Sequence, residues 1–397
     1  MVFNWDRYGN EEKELTVSEQ VLLDLIKQSL FHIPAKIPED VNWDEVYHEA
    51  KEQAVTGLIN PCIPKETKLV GREQYYHVIT QFIHILYEQN ELIHLFAEHD
   101  IPCAILKGTA AAIYYPEPHN RTMGDVDFIV APECFDTAAE LMVRNGYKPF
   151  IHGDEQSTRH LEYQKNGIVF ELHHHFSNEE LEIDSYIIDG LKHTKKAEII
   201  GYSFPMLPPL ANGLVLLIHM WFHLLHGGLG LRQVIDWMLY VDKVLDNDFW
   251  EKEFGLVAKK LGIDTFAKTA TRMCKIYLGL SDKITWCQCA DEELCGGLID
   301  ILLTSGNFGR KQADERLVES IFTAIRRKGL FHYLQTAGEK NWKAYKQHPW
   351  LKSFCWAYQI TRYCHLGIKT RRMKGMKQDI KQSKSRADIL RQLKPVN

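Results

Sequence analysis

Two aspartates one residue apart, Asp125 and Asp127, sit in an otherwise apolar run, Gly124-Asp125-Val126-Asp127-Phe128-Ile129-Val130. On a strand, alternate side chains share a face. The spacing therefore sends both carboxylates one way and Val126, Phe128 and Val130 the other, into a core. Two like charges on one face of an apolar strand need a cation between them or a shared proton. Magnesium prefers oxygen ligands and commonly sits between a few carboxylates and substrate phosphates. An isolated Asp-x-Asp can also be a strand leaving a polar turn with both acids solvated. A third acid shifts that balance. About 45 residues on, Val169-Phe170-Glu171-Leu172-His173 is a second apolar strand, whose alternation puts Glu171, His173 and His175 on one face. Three acids on adjacent strands make a candidate two-metal site, with ions about 3.5–4 Å apart.

Ahead of these acids, Leu106-Lys107-Gly108-Thr109 ends one apolar run and opens a helix. Such a junction offers free backbone N–H groups and a helix dipole to a phosphate, and Gly108 lets the backbone come close. Lys107 can meet a phosphate as a point charge. Arg121, four residues before Asp125, has the fork geometry to clamp phosphate oxygens. Alone, a Lys-Gly turn is most often structural. With Arg121 and Asp-x-Asp behind it, it becomes a phosphate site facing a metal site, with Lys107, Gly108, Thr109, Arg121 and Gly124 as nucleotide-binding candidates.

The elements that must hold these residues follow from periodicity. Residues 15–100 carry apolar positions at three- and four-residue spacing, as in VNWDEVYHEAKEQAV and QYYHVITQFIHILYEQNELIHLFAEHD, and read as helices. From His99 the pattern changes. IPCAILKG and VDFIV read as strands, TAAAIYY and ECFDTAAELMVRNGY as helices, the latter capped by Gly146. HLEYQ and GIVFELHHHF are two more strands, joined through a Lys165-Asn166-Gly167 turn. From Leu210 the chain is helical again. The expected division is a helical region over 1–100, an α/β core over 101–205, a helical domain over 206–368 and a basic tail over 369–397. The α/β region should open its cleft towards the C-terminal helices.

These residues resemble the DNA polymerase β-type nucleotidyltransferase superfamily. Its members share a strand, a small-residue turn, a short helix, an Asp-x-Asp strand and a third carboxylate on a later strand. The usual turn there is Gly-Ser; here Lys107-Gly108 stands in its place. The chain is more closely similar to a bacterial family of uncharacterised nucleotidyltransferases. The likeness rests on Leu106-Lys107-Gly108, Arg121, Asp125-Val126-Asp127, Glu171-Leu172-His173 and the later Leu231-Arg232-Gln233-Val234-Ile235-Asp236-Trp237, and covers residues 20–250. It implies an α+β fold with a polymerase β-like core, a small mixed sheet with flanking helices, between helical regions. It implies Asp125, Asp127 and Glu171 as catalytic metal ligands, Mg2+ or Mn2+ as cofactor, and a nucleoside triphosphate as substrate. It does not name the acceptor, which could be a small molecule, a protein or RNA.

Other residues carry weaker signals. His173, His174 and His175 could make a metal site or a general base, but His173 better suits a supporting hydrogen bond to Glu171, and His174 the core side of the sheet. His219, His223 and His226 share a helix face, but no glutamate completes a zinc-helix motif, so core histidines are favoured. Arg232 and Asp236 at i, i+4 read as an ordinary helix pair, with a second reading in which they line the acceptor cleft.

Composition bounds the function class. The 397 residues are 45% hydrophobic and 25% charged, which are globular values, and the formal net charge of −5 gives no global field to draw in nucleic acid. The segment from Leu210 to Leu231 is apolar but interrupted by Asn212, histidines and glycines, so a buried helix is expected rather than a membrane span. Nine scattered cysteines read as reduced thiols, and the polar, acidic start is no signal peptide, which together suggest the cytoplasm. The tail from Lys369 holds ten Lys or Arg against two Asp and reads as a solvated end. Two alternatives to nucleotidyl transfer remain: a non-catalytic nucleotide-binding module, and a kinase-type phosphotransferase on the same scaffold.

Overall fold

The computed structural model describes residues 15–64, 67, 71–150, 160–176, 182–226, 228–307, 330–342, 344–345, 348–370, 386 and 388–393. The chain divides into two compact units, residues 1–308 with 395–397, and residues 309–394. The division falls inside the segment 206–368, and the helices before residue 101 share a unit with the sheet. Most of the basic tail lies outside the described residues.

In the first unit, helices α1 (Val17–Phe31), α2 (Trp43–Glu52), α3 (Thr56–Ile59) and α4 (Arg72–Ala97) precede the sheet. The start of α1 is set by Thr16 and Glu19, each bonding the other's backbone N–H in a capping box. On α4, Val78, Phe82, Ile85, Leu86, Gln89, Leu92 and Phe96 are buried at helical spacing and form one stripe. Then come β1 (Cys103–Leu106), α5 (Gly108–Ala112), β2 (Asp125–Val130), α6 (Phe135–Arg144), β3 (Lys148–Pro149), β4 (His160–Lys165), β5 (Ile168–His173), α7 (Asp184–Leu191), β6 (Lys195–Ile199) and β7 (Tyr202–Met206). The strands form one mixed sheet in the order β3-β4-β5-β2-β1-β7-β6.

One sheet face is core. Val126, Phe128 and Val130 of β2 join Phe170 and Leu172 of β5, Tyr163 of β4 and Phe82, Ile85, Leu86, Leu92 and Phe96 of α4 in a single buried cluster, with the Phe96 and Phe128 rings 5.6 Å apart edge to face. This is the face the alternation assigns to the apolar residues. The turn between β4 and β5 is the expected one, with Asn166 and Gly167 both at positive φ. Residues 195–206 show no strand alternation in the sequence. There β6 and β7 form a hairpin turning at Ile200 and Gly201, and β7 pairs in parallel with β1 through Ile105 and Met206. Residues such as Lys195, Lys196 and Glu198 hide this edge hairpin, because they face solvent and break the apolar pattern.

After the sheet come α8 (Pro209–His226), α9 (Leu231–Lys243), α10 (Asn247–Phe249), α11 (Gly255–Lys260), α12 (Asp264–Leu278) and α13 (Glu292–Ser305). The apolar stretch from Leu210 is indeed a buried helix: Leu214, Val215, Leu217 and Leu224 are fully enclosed. Among the described residues no helix is long and apolar enough to cross a membrane. Gly213 lets α8 and α9 approach, since a Cβ there would lie 2.5 Å from the Tyr240 ring. In the second unit, helices Leu330–Asn341 and Cys355–Thr370 pack together, with the Trp342 and Tyr358 rings stacked at 5.0 Å.

The α9 helix is tied to the segment entering β2 by a buried ion pair. Arg121 Nε lies 2.8 Å from Asp236 Oδ1 and Arg121 Nη2 lies 2.6 Å from Asp236 Oδ2, while the Tyr115 hydroxyl donates to Asp236 Oδ1 at 2.8 Å. Asp236 thus belongs to a cross-element network rather than to an ordinary pair on the surface of its own helix. Arg121→Ala should destabilise the protein by about 3–5 kcal/mol, because it leaves Asp236 buried without a counter-charge. Arg121→Lys should recover only part of this, since one ammonium cannot reproduce the fork. Urea unfolding of the two variants checks it; a loss under about 1 kcal/mol in Arg121→Ala would show that the pair does not hold α9 in place.

Candidate functional site

The second sheet face carries the acids. Asp127 on β2 is the register partner of Glu171 on β5, and Asp125 lies two residues earlier on the same side. One carboxylate oxygen from each of Asp125, Asp127 and Glu171 lies within 4.8 Å of the other two. Asp127 is buried, and Asp125 and Glu171 are half-buried. The sequence pattern placed the three on one face, and the parallel pairing of β2 with β5 brings them to a point.

The chain itself sets two basic side chains there. Lys107 Nζ lies 2.5 Å from Asp127 Oδ1, and His173 Nε2 lies 3.0 Å from the same oxygen and 3.3 Å from Glu171 Oε2. Burial works against the Lys107 ammonium, but Asp127, Glu171 and Asp125 outweigh it and hold its pKa above the ordinary value. His173 behaves alike: burial lowers its pKa, and the hydrogen bonds to Asp127 and Glu171 raise it further than burial lowers it. Burial and the neighbouring Asp127 push the Asp125 carboxyl up. Burial also opposes ionisation of Glu171, yet His173 and Lys107 bring its pKa down to about 2. The donor set is all oxygen, convergent and short of positive charge, so it fits a hard dication such as Mg2+ or Mn2+.

Lys107 reaches Asp127 from an unfavourable backbone. Its φ of 48° and ψ of −127° lie where glycine is at ease and a side chain is not, and Gly108 follows at φ +21°. Strain of this kind, of order 1–3 kcal/mol, persists where the surroundings enforce it and concentrates at functional sites. The Thr109 hydroxyl donates to Gln89 Oε1 on α4 at 2.7 Å, so it faces the core helix. Gly124 is exposed, with open space where a Cβ would stand. Arg121, expected at phosphate, has its fork on Asp236. Arg232 Nη1 donates to the Thr122 carbonyl at 3.2 Å, which brings a further guanidinium to the segment before β2.

The histidines divide. His173 is in the site, buried against two of its acids. His175 is not on the expected face, because β5 ends at His173; its Nδ1 lies 3.4 Å from Asp184 instead. His174 sits past the strand end with its ring 4.8 Å from Phe135. His219 on α8, read as a core histidine, is half-buried with its Nε2 2.8 Å from His223 Nε2. Burial first, then the charges of Lys107, His223, Arg232 and Arg121, hold it well below its ordinary pKa. Periodicity marks His160 and Glu162 on β4 only as strand residues. They are register partners of His173 and Glu171, and their alternation on a strand next to β5 was the available signal.

The strained turn makes a direct test possible. Lys107→Ala and Lys107→Gly both remove the ammonium from Asp127, but only glycine relaxes the backbone. Lys107→Gly should therefore be more stable than Lys107→Ala by about 1–2 kcal/mol. Thermal unfolding decides it, and equal stabilities would show that the turn carries no strain.

A family described as uncharacterised nucleotidyltransferases matches residues 39–279, a span that takes in Lys107, the three acids, Arg121, the histidines of β4 and β5, and Asp236. No curated protein matches the chain. The family match spans more than half of the chain and agrees with a convergent carboxylate site on the sheet, and on these grounds the chain belongs to that nucleotidyltransferase family.

Proposed function

We propose that this protein transfers a nucleoside monophosphate from a nucleoside triphosphate to an acceptor hydroxyl or phosphate, releasing pyrophosphate, with Mg2+ or Mn2+ as cofactor. The observation that carries the reading is the convergence of Asp125, Asp127 and Glu171, each with a donor oxygen within 4.8 Å of the others. Those residues would hold the metal, which when bound neutralises the triphosphate and favours ionisation of the attacking oxygen. The acceptor oxygen forms a bond to the α-phosphorus, the bond from that phosphorus to the bridging oxygen breaks, and the acceptor's proton goes to solvent. His173 Nε2 lies between Asp127 and Glu171, so it would orient two of the acids.

The remaining roles follow from placement. Lys107 stands beside the acids, where its ammonium neutralises Asp127 before the substrate arrives and can pair with phosphate oxygens afterwards. Gly108, Thr109 and Gly124 would contribute backbone to the phosphate side, the Thr109 hydroxyl being engaged with Gln89. Arg121 and Asp236 fix α9 against the segment before β2, so Arg121 acts by positioning. Arg232, which reaches the Thr122 carbonyl just before β2, would be a helical-side candidate for contact with the acceptor.

Labelled triphosphates test this. With label at the α position and Mg2+ or Mn2+ present, label should pass to an acceptor from a cell extract. A chelator should abolish the transfer. Asp127→Asn should lose about 10²-fold or more in turnover, the scale of removing one preorganised electrostatic group, with the melting temperature little changed. Transfer from the γ position would instead mark a kinase, and binding without transfer a nucleotide-binding module. Full activity in Asp127→Asn would end the metal-site reading.

A further inference from the structure

Next to the three acids lies a second constellation of a different chemistry. His160 on β4 and His173 on β5 are partners across the antiparallel pair, with their ring centroids 5.0 Å apart. One donor atom from each of His160, Glu171 and His173 lies within 4.8 Å of the other two. His160 Nδ1 is 3.9 Å and His173 Nε2 is 3.3 Å from the same oxygen, Glu171 Oε2. An ion with bonds of about 2.0–2.2 Å to nitrogen and oxygen requires donor separations near these, so small side-chain movements would close the set. We propose that His160, Glu171 and His173 form a site for a borderline dication of the Zn2+ class, adjoining the carboxylate site and sharing Glu171 with it.

The arrangement behind His160 points the same way. The other nitrogen of His160, Nε2, lies 3.3 Å from Glu162 Oε1. A carboxylate on the far nitrogen is the usual support of a metal-bound histidine, fixing the tautomer that turns the ligating nitrogen inward. Glu162 is also the register partner of Glu171, so the same strand pairing sets both layers. Two imidazoles select Zn2+ and its neighbours over Mg2+, which prefers oxygen ligands. Asp125 takes no part in this set, which separates it from the hard-metal site.

The test uses the untagged full-length chain, freed of metal with a chelator and titrated calorimetrically with Zn2+ in the absence of nucleotide. It is therefore independent of whether nucleotidyl transfer occurs. One equivalent of Zn2+ should bind tightly. His160→Asn and His173→Asn should each weaken it by about 100-fold or more, and Glu162→Gln by about 10-fold. Asp125→Asn should change it by no more than a few-fold. Co2+ in place of Zn2+ should give visible ligand-field bands that disappear in His160→Asn. Melting temperatures without metal separate loss of ligands from loss of fold; if His173→Asn does not fold, His160→Asn, on the less buried side chain, decides alone. Unchanged Zn2+ affinity in His160→Asn would overturn the proposal, as would loss of binding in Asp125→Asn with His160→Asn unaffected.

Discussion

Negative charge gathered at one point on a sheet is the constraint around which the rest is arranged. Asp127 and Glu171 are brought side by side by the register of two parallel strands, with Asp125 one alternation away. Carboxylates this close and this buried cannot all stay ionised without a cation. The chain answers with Lys107, whose pKa the acids raise against the pull of burial, and with His173, set against Asp127 and Glu171. A site that keeps its own ammonium on the acids is folded and partly neutralised before any metal or triphosphate arrives.

That arrangement explains features that look unfavourable one by one. Lys107 accepts a backbone conformation suited to glycine because its ammonium is needed on Asp127, and the turn from β1 into α5 is what delivers it. The buried Arg121–Asp236 pair is weak evidence of stability, since desolvation offsets much of its attraction. Its value is geometric: a rigid two-pronged bond, reinforced by the Tyr115 hydroxyl, sets α9 against the segment leading into the Asp-x-Asp strand. Helices that look separate along the chain thereby share one compact unit with the sheet.

Much of the core and the acids was legible in the sequence because strand alternation is local. Val126, Phe128 and Val130 declare a buried face, and Asp125 and Asp127 must then share the other. Edge strands were harder. The β6–β7 hairpin has one side in solvent and reads as polar loop, and its attachment to β1 is a long-range choice. The histidine run showed the limit of periodicity: alternation through His175 assumes a strand that the fold ends at His173.

By itself the sequence determined which residues could face which way, and so identified Asp125, Asp127 and Glu171 as one set, with Lys107 and His173 close by. Only the tertiary structure decided partners. Arg121 has the same chemistry towards a phosphate as towards a carboxylate, and nothing local says that Asp236, on a helix more than a hundred residues later, takes the fork. His160 acquires meaning only when β4 pairs with β5 in the register that sets it beside His173. Side-chain direction is fixed by neighbouring backbone geometry, which sequence spacing encodes; contact between distant segments depends on strand register and helix docking, which are settled by packing across the whole unit.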